Sequence, residues 1–388
     1  MIILEKPYVS SLLKQTVINK KIPVLKNDVL DGIALNGEFN SFKTDDLIQK
    51  FKSEENLLVY SNSENSIEWI NKNLSFTSIP ETINRLKNKF RFRQLLQPLY
   101  PTMYFKKINI NDLDKIGSCK FPFIIKPAVG FLSLGIYKVD NQLEWESVKE
   151  ELKTEVSKIQ HIFPKEVMNL TEFLMEDIIE GEEFAIDVYY KKDGKPVILN
   201  IYKHLFSSNK DVSDRSYHTS KEIIETHLEH FTGVLGQIGR LLNLKNFPMH
   251  IEMRLTNDNQ LIPIEANPLR FAGWCMTDMA YYAYNINPYE YYFEQKEPNW
   301  NELLKDKDDK IFYVTIAEIA KEIDLDKIES INYEAFLSNF SKPLELRKTD
   351  YKNYPVFAFM FSETNKENFK EIEYMLKADL KEFITLKN

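Results

Sequence analysis

Short apolar runs alternate with amphipathic stretches over residues 1–80. MIIL (1–4), IPVL (22–25) and NLLVYS (56–61) read as strands, and SSLLKQTVIN (10–19) and SIEWINKNL (66–74) as helices, which predicts a small α/β unit with parallel strands. From Ser78 to Leu96 the spacing becomes that of one basic amphipathic helix, SIPETINRLKNKFRFRQLL. FPFIIKPAV (121–129) reads as a buried strand and EWESVKEELKTEVSKIQ (144–160) as a charged surface helix. FLMEDII, EEFAIDVYY and KPVILNIYKHLF, between Phe173 and Phe206, read as strands, with Asp193-Gly194 marking a hairpin between the last two. Residues 221–244 predict a long helix whose Gly233, Gly236 and Gly239 recur every three positions, a spacing read as close helix packing. The aromatic run 277–293 predicts a helix over the core. After the polar stretch 294–310 comes a last unit of strand, helices, the strand YPVFAFMF and a C-terminal helix; no internal repeat is visible.

The most informative alternation is HIEMRLTNDNQLIPIEAN, residues 250–267. With Asp258 and Asn259 as the two central residues of a hairpin turn, Asn257 faces Gln260 and Glu252 faces Glu265. One face is then wholly apolar: Ile251, Met253, Leu255, Ile262, Ile264 and Ala266. The other carries His250, Glu252, Arg254, Pro263, Glu265 and Asn267. Directly opposed carboxylates lie roughly 5 Å apart at Cβ. At an effective dielectric of about 20 they repel by about 3 kcal/mol. A divalent cation removes that repulsion, and Asn267 adds a neutral oxygen. Hard oxygen donors with few protein contacts suit Mg²⁺. The plainer reading pairs Glu252 with Arg254 or His250 on a solvated face.

The chain has 388 residues, enough for two or three domains, and its 43% hydrophobic and 28% charged content is that of a globular protein. A balance of 50 basic against 58 acidic residues, net −8, argues against a nucleic-acid surface but leaves room for a local phosphate site. Cys119 and Cys275 lie far apart without metal spacing, which predicts a reducing compartment. No apolar run is long enough to span a membrane, and MIILEKPYVS lacks the pattern of a signal peptide. The expectation is a cytoplasmic protein.

Two further segments carry chemistry. In FPFIIKPAVGFLSLGIYKV, Lys126 ends an apolar strand before a small-residue loop. Gly130 and Gly135 form G-x4-G, but Ile136 stands where a P-loop needs Gly-Lys-Ser/Thr. Lys126 can still neutralise phosphate, with Ser133 and loop amides donating to phosphate oxygens; equally, it can be an ordinary solvated lysine. In FLMEDIIEGEEFAIDVYY, Glu176 and Glu183 flank a strand break at Gly181. Backbone groups in such a break can hold adenine, with the acids on its amine and the ribose hydroxyls; an acidic surface bend is the alternative.

The lysine strand with its small-residue loop, E-x6-E enclosing Gly-x-Glu, and E-x12-E-x-N together resemble the ATP-grasp superfamily of carboxylate–amine ligase type, over about residues 80–300. The resemblance implies an α/β fold: an ATP-grasp domain over 81–300 with a lid at about 100–178, a Rossmann-like unit over 1–80 before it, and a small C-terminal α+β unit over 301–388. It implies that Lys89 and Lys126 contact the phosphates of ATP, with Lys203 as a further lysine. It implies that Glu176 and the Ile179 backbone hold adenine and Glu183 the ribose. Glu252, Glu265 and Asn267 would carry Mg²⁺, with Mn²⁺ as a substitute. The register, however, puts Lys203 on the face opposite Glu183.

EANPLRFAG is similar to the E-x-N-P-R of these ligases, with Leu269 inserted before Arg270. Arg270 is the candidate clamp for a substrate carboxylate or acyl phosphate, and Arg215 in DVSDRSYH is a second anion-binding candidate. The implied reaction joins a small carboxylate to a small amine through an acyl phosphate, releasing ADP and phosphate. A nucleotide-binding regulator without turnover and a small-molecule kinase are the competing readings. The aromatic stretch Tyr281–Phe293 could form a homodimer interface as easily as a core.

Overall fold

In the computed structural model, which describes residues 1–54, 57–117, 119–130, 135–159, 169–208, 211 and 213–387, four sheets organise the chain. Strands β1 (Ile2–Ile3), β2 (Val24–Leu25), β3 (Ser41–Phe42) and β4 (Tyr60–Ser61) form a parallel sheet in the order β3-β2-β1-β4. Helices α1 (Ser11–Lys20), α2 (Asp28–Asp31), α3 (Thr44–Ser53) and α4 (Ile67–Asn73) alternate with or follow these strands. Ile2, Ile3 and Val24 are fully buried, as the unbroken apolar runs of parallel strands require.

The helix expected over 78–96 is two, α5 (Ile79–Lys87) and α6 (Lys89–Leu96). Asn88 sits between them in extended conformation, and its side chain accepts from Arg91 N as the cap of α6. Next, β5 (Phe105–Asn109), β6 (Phe123–Val129), β7 (Tyr137–Val139) and β8 (Asn169–Asp177) form an antiparallel sheet in the order β5-β8-β6-β7. Helix α7 (Gln142–Ile159) buries Trp145 and Leu152 in one core with Phe123, Ile125 and Phe173 of this sheet.

The remaining strands are β9 (Glu182–Tyr190), β10 (Pro196–Leu205), β11 (Ser216–Ser220), β12 (Phe247–Leu255), β13 (Leu261–Pro268), β14 (Lys310–Glu318), β15 (Ile328–Ile331), β16 (Pro343–Lys348), β17 (Val356–Asn365) and β18 (Ile384–Leu386). All but β15 and β18, which pair together, form one eight-stranded antiparallel sheet in the order β13-β12-β9-β10-β11-β14-β17-β16. Three strands of the region expected as a separate C-terminal unit therefore extend the central sheet, joined through β11, a strand the sequence reading did not include. Helix α8 (Lys221–Leu242) is capped by Ser220, ends at Asn243 in left-handed conformation, and packs on β10.

The aromatic run breaks into helices α9 (Met279–Tyr284) and α10 (Pro288–Phe293), because Asn285 takes a left-handed conformation and Pro288 starts a new helix. Its Tyr289 and Tyr292 are buried against Tyr60 of β4, with ring centroids 5.4 and 6.5 Å away. The parallel sheet and the central sheet thus share one core. The last α-helix among the described residues ends at Lys377, and a 3-10 turn (Leu380–Phe383) and β18 follow where the sequence predicts helix. Among the described residues no helix is long and apolar enough to cross a membrane.

Candidate active site

The β12–β13 hairpin sets the carboxylate pair. Glu252 faces Glu265 and His250 faces Asn267, as the alternation predicts. The turn differs: Asn257, Asp258 and Asn259 all lie in the loop, Asn259 at φ 63°, and Thr256 pairs with Gln260. A bulge on β13 between Pro263 and Glu265 restores the register. Between turn and bulge the extra loop residue puts Pro263 opposite Met253, where it is buried, and Ile262 opposite Arg254, so these two exchange the faces expected of them.

Around the pair, Lys89 Nζ lies 2.8 Å from Glu265 Oε2 and donates to Gly130 O at 3.2 Å. Asn267 is 3% exposed and its Oδ1 has no hydrogen-bond partner among the described residues. Burial, and then the charge of Glu265, push Glu252 well above the usual carboxylate range. Burial opposes ionisation of Glu265 too, but Lys89 and Lys87 outweigh it and hold this carboxyl down. One carboxylate is therefore neutralised by lysine, while its partner lacks a cation.

No group of three or more His, Cys, Asp or Glu side chains among the described residues is arranged for a metal. The donor set is instead two carboxylates and an unpartnered amide oxygen, which fits a hard divalent cation. Behind it stands His250, whose Nε2 lies 3.9 Å from Glu252 Oε1 and whose Nδ1 lies 2.8 Å from Asp187. Asp187, fully buried, also accepts from Ala272 N and Tyr202 OH.

Lys126 and Glu176 come together from neighbouring strands β6 and β8, at 2.7 Å. Arg93 of α6 binds the other oxygen of Glu176 at 2.7 Å and donates to Pro263 O. All three side chains are at most 3% exposed. Burial depresses the Lys126 ammonium, while Lys126 and Arg93 outweigh burial at Glu176 and keep it ionised. Both oxygens of Glu176 are thus taken by cations, so it can reach a base amine only by giving one up. Arg93 was missed in the sequence; its place one helical turn after Lys89 was the available signal.

Glu183 accepts from His204 Nδ1 at 2.9 Å and from Arg254 Nε and Nη2 at 3.0 and 2.9 Å. Arg254 Nη1 also donates to Ile179 O at 2.7 Å. Gly181, at φ 130°, makes the hinge between β8 and β9: a Cβ there would lie 2.2 Å from Leu255 O. Lys203 does not join this group. It pairs with Phe184, as its register implies, and its ammonium binds Glu182 on the other face of the sheet. Arg215 also turns away, its Nη1 donating to Met375 O and Ala378 O at the end of the last helix. That helix terminus supplies the negative end that the sequence assigned to a substrate. Ser133 lies outside the described residues.

Leu269 has φ 60° and is buried; its N–H donates to Pro248 O, and its carbonyl accepts from Ser61 N at the end of β4. This left-handed residue points the chain toward the parallel sheet. Arg270 then meets Glu64, at 3.3 Å from Nε and 3.1 Å from Nη2. Lys87 binds the second oxygen of Glu64. Burial raises the Glu64 carboxyl, but Lys87 and Arg270 outweigh it and bring it down to about 2.

Residues 119–278 match the family model of an ATP-grasp domain. The fold is that of ATP-grasp proteins. The match includes Lys126, Glu176, Glu183, Glu252, Glu265, Asn267 and Arg270, and leaves Glu64, Lys87 and Lys89 outside. Solved structures with the same ATP-grasp fold extend along the entire chain. An L-amino acid ligase from Bacillus licheniformis is 18% identical, with 100% of this chain and 98% of that one covered at a TM-score of 0.67. N5-carboxyaminoimidazole ribonucleotide synthetase from Thermotoga maritima is 16% identical, covering 99% and 98%, at 0.61. Phosphoribosylglycinamide synthetase from Anaerococcus prevotii is 14% identical, covering 100% and 98%, at 0.57. No curated protein matches the chain in sequence.

Proposed function

We propose that the protein is a cytoplasmic, ATP- and Mg²⁺-dependent ligase that activates a carboxylate as an acyl phosphate and joins it to an amine, releasing ADP and phosphate. The observation that carries this reading is the Glu252–Glu265 pair beside the unpartnered Asn267 oxygen and Lys89. Bound there, Mg²⁺ supplies neutralisation of phosphate charge. Lys89 and Lys126 are the ammonium groups that meet nucleotide phosphates, each exchanging a carboxylate partner for a phosphate oxygen. Glu183 and the Ile179 carbonyl hold the nucleoside, which requires Arg254 to yield part of its hydrogen bonding. Arg270 clamps the carboxylate undergoing activation, because its planar fork matches two oxygens at once. No side chain need act as nucleophile: positioning and charge do the catalysis. The fold shared with an L-amino acid ligase favours amino acids as the first substrates to try.

The test is phosphate release from Mg·ATP with the proteinogenic amino acids, singly and in pairs. Release that needs a carboxylate and rises with a second, amine-bearing partner is the expected result. Glu265→Gln should still bind nucleotide while product formation falls by roughly a hundredfold or more. Wild-type turnover in excess chelator would remove the metal role. Phosphate transferred to a stable phosphoester, without an amine, would favour a small-molecule kinase.

A further inference from the structure

The carboxylate that faces Arg270 enters from the parallel sheet, outside the segment that matches the ATP-grasp family. Glu64 stands three residues beyond the carboxyl end of β4 and is 8% exposed. Its Oε1 takes Nε and Nη2 of Arg270, and its Oε2 takes the buried Lys87 ammonium. The backbone makes the same junction, since Ser61 N donates to the carbonyl of left-handed Leu269 at 2.9 Å. The break at Asn88 completes it: Lys87, before the break, faces Glu64, and Lys89, after it, faces Glu265. Two independent contacts therefore tie the parallel sheet to the residues beside the carboxylate pair.

We propose that Glu64 is a positioning residue for the substrate carboxylate, acting through Arg270. Glu64 occupies Nε and one Nη2 hydrogen, and Phe271 O takes one Nη1 hydrogen at 3.0 Å. A guanidinium has five N–H donors, so one hydrogen on each terminal nitrogen remains. Held in this way, the remaining pair presents a fork of fixed direction to an incoming carboxylate. Without Glu64 the same fork turns on its flexible stem, and substrate binding must restrain it. This rests on the ligase reading for the role of Arg270 and assigns part of the substrate site to the N-terminal sheet.

Glu64→Gln alone leaves Lys87 buried without its charge partner. The working variant is therefore Glu64→Gln/Lys87→Met, which removes both charges; its thermal unfolding verifies that it folds. Phenylglyoxal, which modifies guanidinium groups, is the first probe, with Arg270 read by peptide mass spectrometry. Modification of Arg270 should be about tenfold faster in the variant, since a restrained fork has become free. Phosphate release with Mg·ATP and an equimolar mixture of proteinogenic amino acids is the second readout. The half-saturating amino-acid concentration should rise about tenfold while that of ATP stays unchanged, and adding Arg270→Lys should cost little more. Equal phenylglyoxal rates in variant and wild type overturn the proposal. So does faster modification with unchanged amino-acid saturation, or losses that add fully with those of Arg270→Lys. Wild-type kinetics in Arg270→Lys alone, or no release by the wild type, would instead fail the ligase reading on amino acids. The phenylglyoxal rates would still decide whether Glu64 holds Arg270.

Discussion

His218 shows how burial can set a residue's behaviour. It lies on β11 beside Lys203 and Tyr313, edge-on to Phe369 at 5.6 Å, and neither ring nitrogen has a hydrogen-bond partner among the described residues. Burial, and then the charge of Lys203, push it down to about 3. An unfolded histidine titrates near 6.5. The unfolded chain therefore binds a proton that the folded chain refuses between those two values. Stability contributed by neutral His218 is intact above about pH 6.5 and is lost toward pH 3, at up to about 1.4 kcal/mol per pH unit. His218→Leu should lower the urea midpoint less than wild type on moving from pH 7 to pH 4; an equal fall in both would show that His218 does not carry this sensitivity. The same scale separates what the sequence could tell from what it could not. Glu252, Glu265 and Asn267 were legible because a hairpin registers its two strands within a few residues. Arg93 left a helical-spacing signal that went unused. Glu64 left none, since its partner Arg270 is over two hundred positions away and is turned toward it by the left-handed conformation of Leu269.

Helix α8 illustrates a periodicity that was legible but misread in part. Its glycines recur every three residues, yet at 3.6 residues per turn Gly233 and Gly239 sit about 120° apart on the helix. They cannot serve one packing face. A Cβ on Gly239 would lie 2.2 Å from the ring of Tyr190, whose hydroxyl is fixed on Leu235 O. A Cβ on Gly233 would meet nothing within 4 Å. Gly233→Ala should therefore stabilise by up to about 1 kcal/mol through helix propensity alone. Gly239→Ala gains the same propensity but overpacks the core, by about 1–3 kcal/mol, and should be net destabilising. Urea unfolding of the two variants side by side checks this; a shift of the same sign in both would mean that the Tyr190 ring yields. The hairpin turn shows the reverse case, in which two departures offset each other. One extra loop residue shifts the pairing and the bulge on β13 shifts it back, so Glu252 meets Glu265 although the expected turn is wrong.

At the scale of the molecule, the late strands matter because they reach back to the site. The joining of β14 to β11 spans about ninety residues and leaves no local pattern, which is why the C-terminal region reads as separate in the sequence. Its strand β16 carries Arg347, 3% exposed. Arg347 Nη1 donates to the carbonyls of Trp274 and Cys275 at 3.1 and 2.7 Å, and Nη2 binds Asp278 at 2.7 Å. Its guanidinium also lies over the rings of Phe361 and, from the N-terminal sheet's first loop, Tyr8. Trp274 and Cys275 are consecutive left-handed residues, a conformation that costs about 1–3 kcal/mol each and persists only where surroundings enforce it. Arg347 braces this turn, since its Nη1 takes both carbonyls four and five positions after Arg270. Arg347→Met should destabilise by about 3–5 kcal/mol, because Asp278 is left buried and charged without its partner. Adding Asp278→Asn should recover much of that loss, and yet the left-handed pair would still lack its tether. The two variants thus separate fold from site. The double variant should unfold near the wild-type urea midpoint but require more carboxylate substrate for half-saturation at unchanged ATP affinity. Full kinetic recovery in the double variant would mean that Arg347 serves stability only, and that the turn after Arg270 holds its shape without the C-terminal strands.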